Sequence, residues 1–288
     1  MPELPEVQTT VDGINKTVRG RTIIGVTTTY KSPFYKGKDE IKDPEFFKKF
    51  SKRVIGQKIL KAERRAKNIL IHLSGGDTIL AHMKMTGYFF YNPPLDAQFI
   101  RLVFDLDNGD KLALSDMRRF AKVTIMKTSE LTHSKHLANI GPEPLDPSFQ
   151  LKAFSLQLLK RPNGKIKQVL MDPSIIAGIG NIYSDEILWR TGIHPLSLVK
   201  SIPDKNLKLA FKAMKEVLKK GIDFGGDSMS DYRNIEGAKG RFQDHHRAYR
   251  KHKTLCTKKS CPGILDKVVI GARSAHFCPV HQKLYGQK

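Results

Sequence analysis

Apolar positions at Val7, Val11, Ile14 and Val18 recur at helical spacing and predict a helix over residues 5–18. The rhythm then changes. Short alternating or apolar runs occupy 21–30, 57–63, 68–73, 78–83, 99–106, 110–115 and 121–126. Clusters such as Gly75-Gly76-Asp77 and Asp107-Asn108-Gly109 separate them, as turns between antiparallel strands do. A helical insert is predicted near 44–53. The first half therefore reads as a mainly antiparallel β domain behind a leading helix.

The pattern breaks around 131–150, where Gly141-Pro142-Glu143-Pro144-Leu145-Asp146-Pro147 has the composition of a stiff linker. Beyond it the periodicity is helical, over 148–160, 163–171, 181–190 and 203–221. Residues 223–243 are rich in Gly, Asp and Ser and read as a long loop, a class that is usually functional or disordered. In the tail, Leu265 to Ile270 is β-like and Gly271 offers a turn. The chain carries no internal repeat. The whole is an α+β protein of two domains, a number that 288 residues accommodate.

Charge narrows the partners. Lys and Arg number 50 against 28 Asp and Glu, a net +22. Such a field attracts polyanions, with DNA or RNA first and an anionic membrane surface as the alternative. No run of about 18 apolar residues predicts a membrane span, and no secretory signal opens the chain. The three cysteines all lie within 256–278. That clustering points to an intracellular metal site rather than a disulfide scaffold.

Three segments carry candidate chemistry. The chain opens Met1-Pro2-Glu3-Leu4-Pro5-Glu6-Val7. Removal of Met1 would leave Pro2 as a secondary amine with a pKa near ~8, against roughly 10 for a lysine side chain. Such an amine attacks a sugar or carbonyl carbon through an iminium, and Glu3 is a neighbouring proton-transfer group. The same residues would also simply stiffen a helix start, with Glu3 and Glu6 favouring its dipole. In the tail, Cys256-x4-Cys261-x16-Cys278-x2-His281 has the ligand types and pairing of a closed tetrahedral Zn²⁺ site. His252 and His276 complete no second pair and read as surface or DNA-facing. In the helical half, Ala177-Gly178-Ile179-Gly180-Asn181-Ile182-Tyr183 places two glycines before a helix start, where backbone N–H groups bind phosphate. A plain helix–helix turn reads equally well in isolation.

Taken in order, these segments resemble the formamidopyrimidine-DNA glycosylase family, which is related to endonuclease VIII. The resemblance covers essentially the whole chain. Besides the start, the 177–183 turn and the Cys/His hairpin with Arg273, it rests on Arg64-Arg65-Ala66-Lys67, His82-Met83-Lys84-Met85-Thr86-Gly87, Asp116-Met117-Arg118-Arg119-Phe120, Gly141-Pro142-Glu143-Pro144-Leu145 and Ile166-Lys167-Gln168-Val169-Leu170-Met171-Asp172.

The resemblance implies an N-terminal helix plus antiparallel β-sandwich catalytic domain over 1–132 and a linker over 133–150. It implies a helix–two-turn–helix DNA-binding domain over 151–244, with a lesion-capping loop at 223–243, and a zinc-finger β-hairpin over 245–288. Pro2 is then the nucleophile at the sugar C1′, Glu3 the proton donor, and Lys67 a contact to the DNA phosphates and lesion site. Met85, Arg118 and Phe120 fill the gap left by the flipped base, although Met85 and Phe120 taken alone would more often be core residues. Lys167, Asn181 and Arg273 clamp phosphates, and His82 and Arg119 are lesser backbone contacts. One structural Zn²⁺, held by Cys256, Cys261, Cys278 and His281, completes the set.

The implied activity is that of a bifunctional DNA glycosylase/AP lyase of base-excision repair. Its partner is double-stranded damaged DNA, without membrane association, and the expected form is an intracellular, nucleoid-associated monomer. The Leu4-Pro5 form of the start resembles the branch that removes oxidised purines; the rivals are an endonuclease VIII-like enzyme for oxidised pyrimidines and a catalytically silent damage-binding protein. Two departures stand out. The first cysteine spacing is x4 and the last ligand is His281, where the family has Cys-x2-Cys twice. Within the capping loop, Ser228, Ser230, Asp231 and Tyr232 are the expected lid residues, without assigned base contacts.

Overall fold

The computed structural model describes residues 1–286. Two compact units divide the chain: Met1–Ala138 with Phe224–Arg241, and Asn139–Asp223 with the chain from Phe242 onward.

In the first unit, helix α1 (Leu4–Thr17) begins after Glu3 with Pro5 in its first turn. Proline suits that place because its missing N–H would have no helical partner. Val7, Val11 and Ile14 are buried along one face, and Val18 follows them at the helix end. The strands are β1 (Ile23–Thr28), β2 (Ile59–Arg65), β3 (Asn68–Leu73), β4 (Asp77–His82), β5 (Gly87–Tyr91), β6 (Ile100–Leu106), β7 (Lys111–Asp116) and β8 (Lys122–Lys127), with α2 (Pro44–Val54) inserted after β1. They form two four-stranded antiparallel sheets, ordered β1-β6-β7-β5 and β2-β3-β4-β8.

Ile23, Phe89, Phe104 and Leu114 from one sheet share a buried core with Ile69, Ile71, Ile79 and Val123 from the other, together with α1 and Phe50 of α2. Two sheets closing one apolar layer make a β-sandwich. Strand β5 is the element that the sequence pattern missed. Tyr88, Phe89, Phe90 and Tyr91 do not alternate in polarity, and among them Phe89 is the buried one.

The resemblance groups residues 223–243 with the helical domain, but Phe224–Arg241 belongs to the first unit. Ile235 is the physical reason. It is buried in the sandwich core, and its carbonyl accepts the Tyr91 N–H at 2.7 Å. A side-chain carbon at Gly13 would come within 2.5 Å of Ile235 Cγ2, so glycine is what admits the loop against α1.

The second unit holds α3 (Leu151–Leu159), α4 (Ile166–Met171), α5 (Asn181–Thr191) and α6 (Asp204–Asp223), then the antiparallel hairpin β9 (Asp266–Ile270) and β10 (Arg273–Phe277). Phe154, Leu158, Ile166, Leu170, Tyr183, Ile187, Met214 and Leu218 are buried in it. Helix α5 ends at Gly192 in the left-handed region (φ 70°), a position that glycine occupies without strain. The Gly141-Pro142 segment is fastened rather than free: Gly141 N–H donates to Pro173 O at 2.8 Å and Pro142 O accepts Ala177 N–H at 2.9 Å. Among the described residues, no helix is long and apolar enough to cross a membrane.

Candidate active site and metal centre

Pro2 and Glu3 are both buried at the start of α1. With Met1 attached, the Pro2 nitrogen is an amide, and removal of Met1 would make it a basic amine. Glu6, one turn on, fixes the local geometry. Its Oε2 accepts the Glu3 N–H at 2.7 Å, and its Oε1 accepts the Asp227 N–H at 2.7 Å. One buried carboxylate thus ties the helix start to the 224–241 segment. Tyr232 adds a second tie, its hydroxyl donating to Glu6 O at 3.0 Å. Burial pushes this phenol well above its usual range, which keeps it a donor. Ser228 Oγ braces the loop itself, donating to Tyr232 O at 2.8 Å and accepting Gly240 N–H at 2.9 Å. Of the expected lid residues, Ser228 and Tyr232 are therefore buried struts, and Ser230 and Asp231 are exposed.

Lys67 lies in the two-residue turn between β2 and β3, where Arg65 pairs with Asn68 and Ala66 takes a left-handed φ of 54°. A tight hairpin tip presents a lysine while the strands hold its backbone. Asn68 in turn pairs with His82 at the end of β4. Burial, then the Lys84 and Lys67 charges, push His82 down to about 3, so its imidazole is neutral at physiological pH. Its Nδ1 accepts the Lys84 N–H at 3.0 Å. His82 thus holds the Lys84 backbone as a neutral imidazole.

Met85 follows β4, and Arg118, Arg119 and Phe120 lie between β7 and β8. These three residues are exposed, and the Arg118 guanidinium lies 4.6 Å from the Phe120 ring centroid. An exposed phenylalanine under an arginine is poor core material and well suited to contact a base or ring.

In the second unit, Asn181 is the first residue of α5, after Gly180 at the cap and Gly178 at φ +83°. Its side-chain Oδ1 is buried without a hydrogen-bond partner, at the helix N-terminus, where the dipole favours an anion. Arg273 opens β10 and is exposed. Lys167 differs from the sequence expectation, being only 1 % exposed. Its ammonium donates to Asp185 Oδ1 at 2.5 Å, Ser184 Oγ at 3.1 Å and the Asn181 carbonyl at 3.3 Å. It braces the Asn181 turn from inside rather than offering its charge at the surface. His276 also departs from its surface reading: it is buried, and Asp185 Oδ2 accepts both its N–H at 3.0 Å and its Nδ1–H at 2.9 Å.

The four tail residues do converge. One ligand atom each from Cys256, Cys261, Cys278 and His281 all lie within 4.8 Å of one another. Cys261 Sγ is 3.6 Å from Cys278 Sγ, and His281 Nδ1 is 3.3 Å from Cys256 Sγ and 3.9 Å from Cys261 Sγ. A tetrahedral zinc with Zn–S of about 2.3 Å and Zn–N of about 2.0 Å requires spacings of roughly 3.5–3.8 Å, so the residues fit the ion. His281 Nε2 lies 2.9 Å from Trp189 O. A carbonyl can only accept, so Nε2 carries the hydrogen and Nδ1 turns its lone pair to the cluster, as in ligating histidines. The longer first spacing brings in Lys258, whose Nζ donates to Arg190 O at 3.2 Å near the end of α5.

Sequence reasoning missed the buried acids that organise these parts: Glu6, Asp116, Asp185 and Glu186. Glu186 accepts the Arg247, Ala248 and Tyr249 N–H groups, each at 2.9 Å. The adjacent pair Asp185-Glu186 within an apolar helix was the available signal, since unpaired acids are not buried.

Known proteins resemble this chain over both halves. The family model described as the formamidopyrimidine-DNA glycosylase N-terminal domain matches residues 1–123, and the one described as the formamidopyrimidine-DNA glycosylase H2TH domain matches residues 140–233. The formamidopyrimidine-DNA glycosylase of Pelotomaculum thermopropionicum is 33 % identical over 291 residues, covering 99 % of this chain and all of that one. That of Herpetosiphon aurantiacus is 34 % identical over 285 residues, covering 98 % and 100 %. The structure of Lactococcus lactis Fpg in complex with abasic-site DNA superposes with a TM-score of 0.86 at 28 % identity, covering 98 % of this chain and 99 % of that one. Models that match both halves and relatives that span the full length leave one assignment: the chain belongs to the formamidopyrimidine-DNA glycosylase family, DNA glycosylases of DNA repair.

Proposed function

We propose that the protein is a bifunctional DNA glycosylase/AP lyase that excises oxidised purines, 8-oxoguanine and formamidopyrimidines, from duplex DNA. The observation that carries this reading is the N-terminal Pro2-Glu3 pair, buried at a helix start that Glu6 holds in place. Once Met1 is gone, the Pro2 nitrogen attacks C1′, the bond from C1′ to the base breaks, and the base leaves with a proton. The C1′–O4′ bond opens, Glu3 supplies a proton to O4′, and an iminium links protein to sugar. Loss of a proton from C2′ expels the 3′-phosphate. A further elimination expels the 5′-phosphate, and water then releases the amine.

Chemistry at C1′ requires the nucleotide to leave the stack. Met85 and Phe120 serve as wedges in the gap, and Arg118 hydrogen-bonds the orphaned base. Lys67, Asn181 and Arg273 bind phosphates, which gives affinity without sequence readout. Zinc on Cys256, Cys261, Cys278 and His281 would act as a structural cross-link of a hairpin too small to be stable alone.

A comparison of 8-oxoguanine·C and thymine glycol duplexes tests the substrate class. The reading expects preferential release and nicking at 8-oxoguanine, with Glu3→Gln losing excision and keeping DNA affinity. Preference for thymine glycol would move the enzyme to the pyrimidine branch, and no nicking of either duplex would leave a damage-binding protein.

A further inference from the structure

Strand β7 ends at Asp116, and the chain then turns through residues 117–120 into β8. Asp116 is fully buried, and its carboxylate gathers donors from three separate places. Oδ2 accepts the Tyr30 hydroxyl at 2.9 Å and the Ala121 N–H at 2.7 Å. Oδ1 accepts the Thr86 hydroxyl at 2.7 Å. Thr86 Oγ1 in turn accepts the Arg118 N–H at 3.0 Å. A hydroxyl has one hydrogen; Thr86 sends it to Asp116 and has its lone pair left for Arg118. The main chain of Asp116 is tied as well, with its N–H on Phe99 O at 2.9 Å and its carbonyl on Arg101 Nε at 3.0 Å.

These bonds lie beneath both segments that carry the proposed wedge. Thr86 follows Met85, and Asp116 and Ala121 flank the Arg118–Phe120 turn. The two segments also approach closely: at Gly87 a side-chain carbon would come within 2.6 Å of Met83 O and 3.2 Å of Ala121 Cβ. Lys84 and Arg119 hold left-handed φ values of 55° and 58°. Non-glycine residues keep such backbones where surrounding bonds over-determine them.

We infer that Asp116, with Thr86 and Tyr30, is a positioning unit that presets Met85, Arg118 and Phe120 for entry into the base stack. The inference rests on the proposed wedge role of those three residues. Its physical content is preorganisation. Two loops already ordered do not draw on the binding free energy that has to offset unstacking. None of the three positioning residues is required to touch DNA.

The experiment compares Thr86→Val, Thr86→Ser and Tyr30→Phe with the parent enzyme, all lacking Met1. Two substrates are used, an 8-oxoguanine duplex and a duplex with a pre-formed abasic site, which has no base to extrude. A 2-aminopurine beside the lesion reports unstacking. Thr86→Val is expected to slow excision more than tenfold and to delay the fluorescence rise equally, while abasic-site cleavage falls less than threefold. Thr86→Ser restores both, and Tyr30→Phe, the milder change, falls between. Excision and fluorescence unchanged in Thr86→Val and Tyr30→Phe would overturn the inference. So would losses equal on both substrates and unrescued by serine, which mark general loosening of the sandwich. Met85→Ala and Phe120→Ala separate the two levels. If they slow excision and the Thr86 and Tyr30 variants do not, the positioning unit falls; if they too are silent, the wedge reading falls with it.

Discussion

The imidazole of His281 turns one nitrogen to three cysteines and donates the other to the main-chain carbonyl of Trp189, 2.9 Å away. Trp189 lies near the end of α5, whose first residue is Asn181. The metal cluster and the proposed phosphate-binding turn are therefore held by the two ends of one helix. Between them, Asp185 grips Lys167 and His276, and Glu186 grips the 247–249 backbone.

Removal of the metal should accordingly be felt at Asn181. The purified protein is expected to contain one zinc per chain by elemental analysis. Chelation, or His281→Ala, should lower the thermal midpoint and raise amide exchange in α5 as well as in the hairpin. His281→Cys should retain zinc but lose the Trp189 bond, a change of about 1 kcal/mol. A zinc-free preparation with unaltered exchange in α5 would sever the connection.

Lys167 and Arg273 should separate cleanly by salt dependence. Arg273→Ala removes an exposed cation, and the slope of log affinity against log salt should fall by about 1. Lys167→Ala leaves Asp185 buried without its cation. A loss of about 3–5 kcal/mol of stability is expected, measured by denaturant unfolding, with the salt slope unchanged.

The Glu6 carboxylate accepts two backbone N–H groups from distant points in the sequence. In Glu6→Gln one oxygen becomes an NH₂ facing a donor. Each unsatisfied group costs about 1–3 kcal/mol. Limited proteolysis should then cut the 224–241 segment faster, before global unfolding.

Acid should weaken the first unit through His82. Its folded pKa of about 3 lies below the ordinary 6.5, so the unfolded chain takes up the proton first. Stability is complete above about 6.5 and is lost as pH falls towards 3, by at most about 1.4 kcal/mol per pH unit. His82→Gln should flatten the thermal midpoint against pH in that window. His136 and His194, which burial also holds below the usual range, keep their own shares.

Periodicity located α1, α2 and seven of the eight sandwich strands, because each has a core face that repeats. It missed β5, whose aromatic run has no polar phase; the family resemblance set the 224–241 segment with the helical domain, whereas it packs in the first unit. That attachment depends on Ile235 entering the sandwich core beside Gly13, a contact more than two hundred residues apart in sequence. Motif and spacing brought Pro2, Glu3, Asn181 and the Cys₃His set onto their elements. The surface role that the resemblance implied for Lys167 and the surface reading of His276 differ from the structure because Asp185, with the Asp185-Glu186 pair in an apolar helix as the one local hint, faces inward and meets both.

Borohydride trapping reads out whether Pro2 is the nucleophile. Protein with a mass-verified Pro2 terminus is mixed with an 8-oxoguanine duplex under borohydride. A covalent protein–DNA adduct should form, map to residue 2 and vanish in protein retaining Met1, where the Pro2 nitrogen is an amide. An adduct of undiminished yield in that protein, or one that maps to another residue, would contradict the assignment.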